Sequence, residues 1–272
     1  MGIVEGITEW LPISSTGHMI LAEQVLKFSF SAEFMEMFRV VIQLGAILAV
    51  VVMYFKKLWP FCVDNGRDSG LAKHIRWPVM RLWFKIIVAC LPAAVLGLAL
   101  DDWIDAHFYN SVVVAVMLIV YGIAFILIER RPRVPTTTKL SRITYRQALI
   151  VGAWQVLALI PGTSRSGSTI IGGLLCGMSR ACASQFTFFL AIPVMAGASL
   201  LKVLKFAVSG VAITGTEVAV LAVGCVVAFV VSLAAIRFLM DYVKRHNFTF
   251  FGIYRIALGL VVLAVAVVSA MV

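Results

Sequence analysis

The sequence predicts an all-α, polytopic membrane protein with about six transmembrane helices and two re-entrant helical hairpins in an inverted-topology repeat. Three observations carry this prediction: an extreme composition, a set of long apolar runs, and two interrupted apolar segments that resemble each other. Of the 272 residues, 62% are apolar and 13% are charged, and the mean hydropathy is +1.02. A soluble domain is about half apolar and about a quarter charged. The composition therefore excludes an ordinary soluble enzyme, a disordered protein and a nucleic-acid-binding module.

Six uninterrupted apolar runs are long enough to cross a bilayer as helices. A segment in lipid must satisfy its own backbone hydrogen bonds, so these runs predict a helical bundle. They are residues 37–55, 82–100, 112–128, 185–206, 217–236 and 251–272.

The charges between these runs predict the orientation. Basic residues number six in 56–81, six in 129–147 and three in 237–250. Segments 101–111 and 207–216 contain no basic residue. Because basic loops remain in the cytoplasm, the three basic segments are predicted to lie inside, and they account for the net charge of +10.

Two further apolar segments, 1–28 and 148–182, are interrupted by Gly, Pro, Ser and charged residues. If 148–206 crosses the membrane once, at 185–206, segment 148–182 must enter and leave on the cytoplasmic side. Segment 1–36, which contains the first interrupted stretch, must then enter from the outer side. Two re-entrant hairpins from opposite faces would meet near the midplane.

The two interrupted segments match at an offset of 150 residues, which supports an inverted repeat with a ligand site at the repeat interface. We expect one integral membrane domain, 1–272, with repeat 1 at about 1–128 and repeat 2 at about 148–272. In this register Gly2, Glu5, Ser14, Thr16, Gly17 and Ile20 fall on Gly152, Gln155, Ser164, Ser166, Gly167 and Ile170.

Two carboxylates stand in the first hairpin. Glu5 and Glu9 are four residues apart, so a helix places both on one face. Like charges in an apolar bundle need a cation or a shared proton, which predicts a divalent-metal site or an acid/base pair. The alternative is that both lie in water at the outer interface.

A run of hydroxyls and an imidazole follows these carboxylates. A turn with exposed N–H groups and hydroxyls suits phosphate oxygens. His18 follows Ser15 by three residues, so a nucleophile with its base is sterically available, although a lone His can also be a packing residue. The run is Ser14, Ser15, Thr16, Gly17 and His18.

The second hairpin carries Arg165, the one charged residue between Arg146 and Arg180. A buried guanidinium needs a partner, and the candidates are Glu5, Glu9 or a phosphate. A purely structural Arg–Glu bridge between the hairpins is the alternative. Neutral donors beside it are Ser164, Ser166 and Thr169, whereas Tyr254 and Arg255 are expected to anchor the last span near the inner surface.

These groups together predict a membrane-embedded site for an anionic, phosphorylated substrate with a lipid tail. The residues alone leave hydrolysis and transport equally open. A transporter or flippase of lipid-linked phosphate is therefore the alternative function.

At these residues the chain resembles the undecaprenyl-diphosphatase family of the bacitracin-resistance type. The family's glutamate-rich motif matches Glu5 to His18, and its P-G-x-S-R-S-G motif matches Pro161 to Gly167. The similarity covers essentially the whole chain. Family members usually carry more apolar residues before the first glutamate, so we expect a short first helix here.

The resemblance implies hydrolysis of undecaprenyl diphosphate to undecaprenyl phosphate and inorganic phosphate, which recycles the lipid carrier of cell-wall synthesis and gives bacitracin resistance. It also implies a multi-pass protein of the bacterial plasma (inner) membrane, with the active site facing the outer, periplasmic side. The expected cofactor is a divalent cation, Mg²⁺ or Ca²⁺. The expected partners are the lipid substrate and the bilayer, with a homodimer left open.

The resemblance also suggests residue roles. Glu9 with Glu5 would hold the metal or act as acid/base, and Arg165 would clamp the diphosphate. Ser15 is the candidate nucleophile, assisted by His18, with an activated water as the alternative. The expected phosphate-binding residues are Ser14, Thr16, Gly17, Ser164, Ser166 and Thr169.

Overall fold

The computed structural model describes residues 1–26, 30–64, 66, 70–131 and 134–271. Two of the counted basic residues, Arg67 and Arg133, lie outside the described residues, as do the ends of the predicted segments 1–28 and 251–272. The described chain is helical and contains eleven α-helices. They are α1 (Gly2–Thr8), α2 (Ser15–Val25), α3 (Ala32–Met53), α4 (Phe55–Leu58), α5 (Trp77–Phe108), α6 (Ser111–Glu129), α7 (Tyr145–Val156), α8 (Arg165–Leu175), α9 (Arg180–Val208), α10 (Gly215–Arg245) and α11 (Thr249–Met271).

Within the described residues, six helices are long and apolar enough to cross a membrane: α3, α5, α6, α9, α10 and α11. Each contains one of the six predicted apolar runs or most of it, so the prediction of an all-α polytopic membrane protein is confirmed. The protein is therefore a multi-pass membrane protein.

Two predicted connecting segments are helical instead. Residues 101–108 of the predicted outer loop 101–111 continue α5, and residues 237–245 of the predicted inner loop 237–250 continue α10. Backbone hydrogen bonding does not stop where hydropathy falls, so a helix can extend beyond its apolar run. Nothing is described of the side chains of Asp101, Asp102 and Asp105 in this extension.

The two halves of the chain have the same order of long elements. A pair of short helices comes first (α1–α2 or α7–α8), and three long helices follow (α3, α5, α6 or α9, α10, α11). The packing exchanges partners between the halves: α1 contacts α10 while α7 contacts α5, and α6 packs along α11. Within this sequence, α1 has 7 residues and α7 has 12.

The α6–α11 contact shows how closely the halves approach. A Cβ built on Gly122 would lie 2.7 Å from the carbonyl oxygen of Gly252, and one on Gly252 would lie 2.7 Å from the carbonyl oxygen of Gly122. Only glycine fits at both positions. Small residues let membrane helices pack backbone to backbone, and here they do so reciprocally.

The chain between α1 and α2 lies in the interior. Trp10 is 0% exposed and packs edge-on against Phe188 of α9, with ring centroids 5.2 Å apart. Phe188 is also fully buried. An edge-to-face pair of this kind fixes the depth of the first turn against the second half of the protein.

Candidate active site

The two short helix pairs are joined by turns with the same unusual backbone. Ser14 precedes α2 with φ 70° and ψ 106°, and Ser164 precedes α8 with φ 68° and ψ 117°. Among the described non-glycine residues, only these two have a positive φ. The serines are 150 residues apart, as the predicted register requires. Such a conformation costs about 1–3 kcal/mol and is typical of functional sites.

The turns bring the opposite charges of the two hairpins into contact. Arg165 Nη2 donates to Glu9 Oε1 at 2.8 Å, and the Ser15 hydroxyl donates to Glu9 Oε2 at 3.0 Å. Arg165 Nη1 also donates to the carbonyl oxygen of Thr187 at 3.3 Å. The side chains of Arg165 and Glu9 are 13% and 8% exposed. A row of guanidinium, carboxylate and hydroxyl therefore joins the hairpins, and the predicted Arg–Glu contact is present.

Glu5 lies behind this row. It is 1% exposed, and Glu9 N donates to its backbone carbonyl oxygen at 3.0 Å, which is the helical spacing that keeps the two side chains on one face. In the described structure its Oε1 has no hydrogen-bond partner. The alternative that Glu5 and Glu9 stand in water at the interface is therefore wrong. An unpaired carboxylate oxygen beside a second carboxylate is a strong acceptor for a cation or a proton.

His18 is held away from Ser15 by other partners. Its Nδ1 donates to the Ser14 carbonyl oxygen at 2.7 Å, and its Nε2 accepts from the Tyr254 hydroxyl at 2.8 Å. The His18 and Tyr254 rings are stacked, 7° from parallel. Both ring nitrogens are thus engaged, and the hydrogen-bond acceptor for Ser15 is Glu9. The His18 side chain therefore supports the first turn by binding the backbone carbonyl of Ser14.

The hydroxyls predicted to bind phosphate fall into two groups. Thr16 lines an open cavity, and Ser14 is buried with an unpartnered hydroxyl. In the second turn, Ser164 Oγ accepts from Gly167 N at 3.2 Å, and Ser166 donates to the Leu11 carbonyl oxygen at 3.3 Å. Ser164 thus caps α8, and Ser166 joins the second hairpin to the first turn.

Two of the predicted binding residues are packed in the interior. Thr169 is 0% exposed, and its hydroxyl donates to the Arg165 carbonyl oxygen at 2.8 Å. Gly17 is buried, and a Cβ there would lie 3.0 Å from Leu118 of α6. These positions support the turns from within.

Comparison with known proteins assigns the chain. Residues 1–261 match the family described as "Bacitracin resistance protein BacA". The chain belongs to this family.

Relatives named "Undecaprenyl-diphosphatase" include that of Enterococcus faecalis, 57% identical over 265 residues, which cover 97% of this chain and 94% of the relative. The protein of Streptococcus mutans is 59% identical, over 96% of this chain and 92% of the relative. That of Lactococcus lactis subsp. lactis is 55% identical, over 99% and 96%. The predicted family resemblance is confirmed.

One central residue of this BacA-family protein was assigned wrongly from sequence. Arg255, expected as an interfacial anchor, is 0% exposed. It donates to the Pro12 carbonyl oxygen at 3.3 Å, the Gly162 carbonyl oxygen at 3.0 Å and the Thr163 carbonyl oxygen at 2.8 Å. Its guanidinium also lies over the Tyr121 ring, 5.5 Å from the centroid. The only signal in the sequence is a charge within an apolar run, as for Arg165.

Arg255 explains how two strained turns stay in place. One guanidinium binds backbone carbonyls of both turns, so neither can move without losing a charge-assisted hydrogen bond. Gly162 adds a close approach, because its φ is +90° and a Cβ there would lie 2.6 Å from the Val114 carbonyl oxygen. The second turn thus lies directly against α6.

Two cavities of about 570 Å³ each adjoin the row. One is polar and is lined by Glu5, Ser15, Thr16, Arg39 and Lys202, among others. The other is an apolar groove between α5, α7 and α9, with Arg165 and Gln155 in its wall. Ala158 and Leu159 line both cavities, so the polar cavity and the apolar groove are neighbours.

Proposed function

We propose that this protein hydrolyses undecaprenyl diphosphate to undecaprenyl phosphate and inorganic phosphate, and so returns the lipid carrier to cell-wall synthesis and confers bacitracin resistance. Membership of the BacA family and the names of its relatives support this function. The structural observation that carries it is the position of the Arg165–Glu9–Ser15 row beside a polar cavity and an apolar groove.

The two cavities suit the two parts of the substrate. An isoprenoid tail matches the apolar groove, whose wall consists mainly of Ala, Leu, Val and Gly. The terminal phosphate matches the polar cavity, whose lining includes the basic side chains of Arg39 and Lys202. These are paired with Glu23 and Glu36, and a phosphate can replace such carboxylates as a partner. Arg165 borders the groove and contacts Glu9, so it can bind the diphosphate at the boundary. A phosphate of the substrate would then replace Glu9 as the hydrogen-bond partner of Arg165.

The row also suggests the order of bond changes. Ser15 Oγ attacks the terminal phosphorus, its proton passes to Glu9 Oε2, and the bond from that phosphorus to the bridging oxygen breaks. The bridging oxygen leaves on undecaprenyl phosphate. Water then attacks the phosphoserine, releases inorganic phosphate and restores the Ser15 hydroxyl. Arg165 stabilises the charge that develops on the phosphoryl oxygens.

Other predicted residues have supporting roles in this proposal. The first turns of α2 carry N–H groups that the Ser14 side chain does not cap, and these can bind phosphoryl oxygens together with Ser14 and Thr16. His18 fixes the Ser14 carbonyl and thus the angle of the turn.

A divalent cation fits the carboxylate side of the row. The described residues contain no cluster of three or more His, Cys, Asp or Glu suited to a metal. Two carboxylates completed by substrate phosphates are, however, a common way to bind Mg²⁺. Glu5, with its unpartnered Oε1, and Glu9 would hold the ion. When bound, it would neutralise phosphate charge.

We place the protein in the bacterial plasma membrane with the polar cavity facing the outer side. The cavity includes Tyr109 and Glu36, which lie near the ends of helices opposite the basic segments. The excess of basic residues in those segments supports their cytoplasmic position.

The test is phosphate release from undecaprenyl diphosphate by the purified full chain in detergent, with Mg²⁺ or Ca²⁺ and after chelation with EDTA. We expect release that needs the cation and is abolished by Glu9→Ala. Transport of the lipid across liposomes without phosphate release would instead support the transporter alternative.

A second measurement decides the nucleophile. Rapid acid quenching with substrate labelled in the terminal phosphate should leave label on Ser15 and none in Ser15→Ala. Turnover that leaves no labelled protein and inverts the configuration at a chirally labelled terminal phosphorus would assign the attack to water.

A further inference from the structure

Gln155 is an unexplained buried polar group. It lies on α7, is 2% exposed, and in the described structure neither its Nε2 nor its Oε1 has a hydrogen-bond partner. A buried amide without partners is destabilising by a few kcal/mol. The N-terminal cap of α7 is made by Thr144 and Gln147 and does not involve Gln155. Such a group in a native protein calls for a ligand.

The surroundings of Gln155 indicate which ligand. It lines the apolar groove together with Arg165, and the remaining lining residues are almost all aliphatic. The groove is therefore lined by two hydrogen-bonding polar side chains, a guanidinium and a neutral amide. Both offer N–H donors, and neither carries a negative charge. This combination suits the anionic end of an amphiphile whose apolar part fills the groove.

The equivalent position in the first repeat also indicates that Gln155 suits an anionic ligand. Gln155 falls on Glu5 in the 150-residue register. Glu5 lines the polar cavity, where its carboxylate suits a cation and would repel a phosphate that had no cation beside it. The amide at the equivalent position in the groove removes that repulsion. The two positions therefore divide the site into a cation side and a lipid-phosphate side.

We propose that Gln155 binds the phosphate that remains on the lipid, and thereby makes the groove a binding site for the lipid monophosphate product as well as for the substrate. This inference rests on the proposed function for its substrate. The Gln155 amide donates to a non-bridging oxygen of the proximal phosphate, while Arg165 faces the terminal one. Free inorganic phosphate, which has no tail for the groove, does not use Gln155.

The test compares wild-type protein with Gln155→Leu, which keeps the volume and removes both polar atoms. We expect the KM for undecaprenyl diphosphate and the inhibition constant of undecaprenyl phosphate to rise together by about tenfold or more. Inhibition by inorganic phosphate should change less than about twofold. Equal changes for both phosphates, or no change for either, would overturn the proposal.

Controls separate recognition from folding. Ser184→Ala removes another fully buried hydroxyl without a partner, and Ser184 does not line the groove. This variant should keep wild-type constants for all three ligands. Gln155→Glu, nearly isosteric, provides the second variant: its carboxylate should weaken undecaprenyl phosphate binding at least as much as Leu. Retention of wild-type binding by a folded Gln155→Glu would also overturn the proposal.

A binding arm keeps this proposal distinct from the proposed function. Thermal stabilisation of the full chain in detergent is measured with undecaprenyl phosphate, which needs no turnover. If the wild type is inactive but is stabilised, and Gln155→Leu loses this stabilisation, the groove assignment holds and the hydrolytic function fails. If the wild type hydrolyses substrate and Gln155→Leu is stabilised equally, the assignment of Gln155 fails alone.

Discussion

The two turns have nearly the same backbone and opposite chemistry. Ser14 and Ser164 share a strained conformation, and each precedes an eleven-residue helix. After them, the first turn continues with Ser15 and the second with Arg165. In the second turn the Ser164 hydroxyl caps its helix, whereas in the first turn the Ser14 hydroxyl has no partner among the described residues.

The comparison teaches how a repeat can become an asymmetric site. The shared backbone aims two helix N-termini at one place, which favours an anion there. Substitution at a few equivalent positions then separates the roles. The first hairpin supplies two carboxylates and the Ser15 hydroxyl, and the second supplies the Arg165 guanidinium and a turn capped by Ser164.

The largest effect should come from breaking the contact between the turns. Arg165→Ala removes the donor to Glu9 and the clamp for phosphate, so kcat/KM for phosphate release should fall about 10³-fold or more. Arg165→Lys should recover only part of it, because one ammonium cannot replace a fork of donors. Arg180→Ala, which breaks the partly exposed pair with Glu129, is the control and should retain activity. Arg165→Ala with over a tenth of wild-type activity would refute the clamp.

Arg255 should matter equally for both turns. Arg255→Leu leaves the carbonyls of Pro12, Gly162 and Thr163 without this donor, so the free energy of unfolding should fall by about 3 kcal/mol. Loss of activity should accompany it, since both turns loosen. The measurement is thermal or denaturant unfolding in detergent, beside phosphate release. An unchanged stability would show that the two turns keep their conformation without the Arg255 hydrogen bonds.

The hydroxyls of Ser15 and Ser164 should respond differently. Ser15→Ala should lower kcat about 10³-fold or more with little change in stability, since its hydroxyl is the proposed nucleophile. Ser164→Ala should instead lower stability by about 1 kcal/mol through loss of the cap on Gly167 N, with a smaller effect on kcat. Equal losses of kcat in both variants would mean that the turns are chemically equivalent.

The smallest effect concerns backbone strain. Ser14→Gly should raise the free energy of unfolding by about 1 kcal/mol, because glycine adopts positive φ freely. Ser164→Gly gains the same relief but loses the helix cap, so its stability should remain near wild type. Ser14→Val serves as the opposite control and should destabilise. Identical shifts for the two glycine variants would contradict the difference in capping.

Much of the fold was predictable because lipid leaves few choices. The six apolar runs each became a transmembrane-length helix, since hydrocarbon forces every backbone group into an internal hydrogen bond. The 150-residue register aligned Ser14 with Ser164 before any geometry was known. The helix ends were less predictable: α5 and α10 extend past their apolar runs, where helix and solvated loop have similar free energies.

For the candidate site too, the sequence indicated which residues take part but not all of their contacts. Sequence chemistry identified Glu5, Glu9, Ser15 and Arg165, because charges and hydroxyls in apolar segments are costly without a purpose. It assigned Arg255 to the interface, since a charge near a helix end can reach water, and only packing shows that the turns enclose it. It paired Ser15 with His18 by spacing, whereas the turn brings Glu9 to the hydroxyl and Tyr254 to the imidazole.

By itself the sequence determined which residues must be buried in the membrane and that the buried charges of the two hairpins need partners there. It left several candidates for those partners and could not choose among them. Contacts such as Arg165 to Glu9 and Arg255 to Pro12 join residues more than 150 positions apart, and only the crossing of the two halves sets their distances. Hydropathy acts on each segment separately, whereas hydrogen bonds between segments depend on how all the helices pack at once.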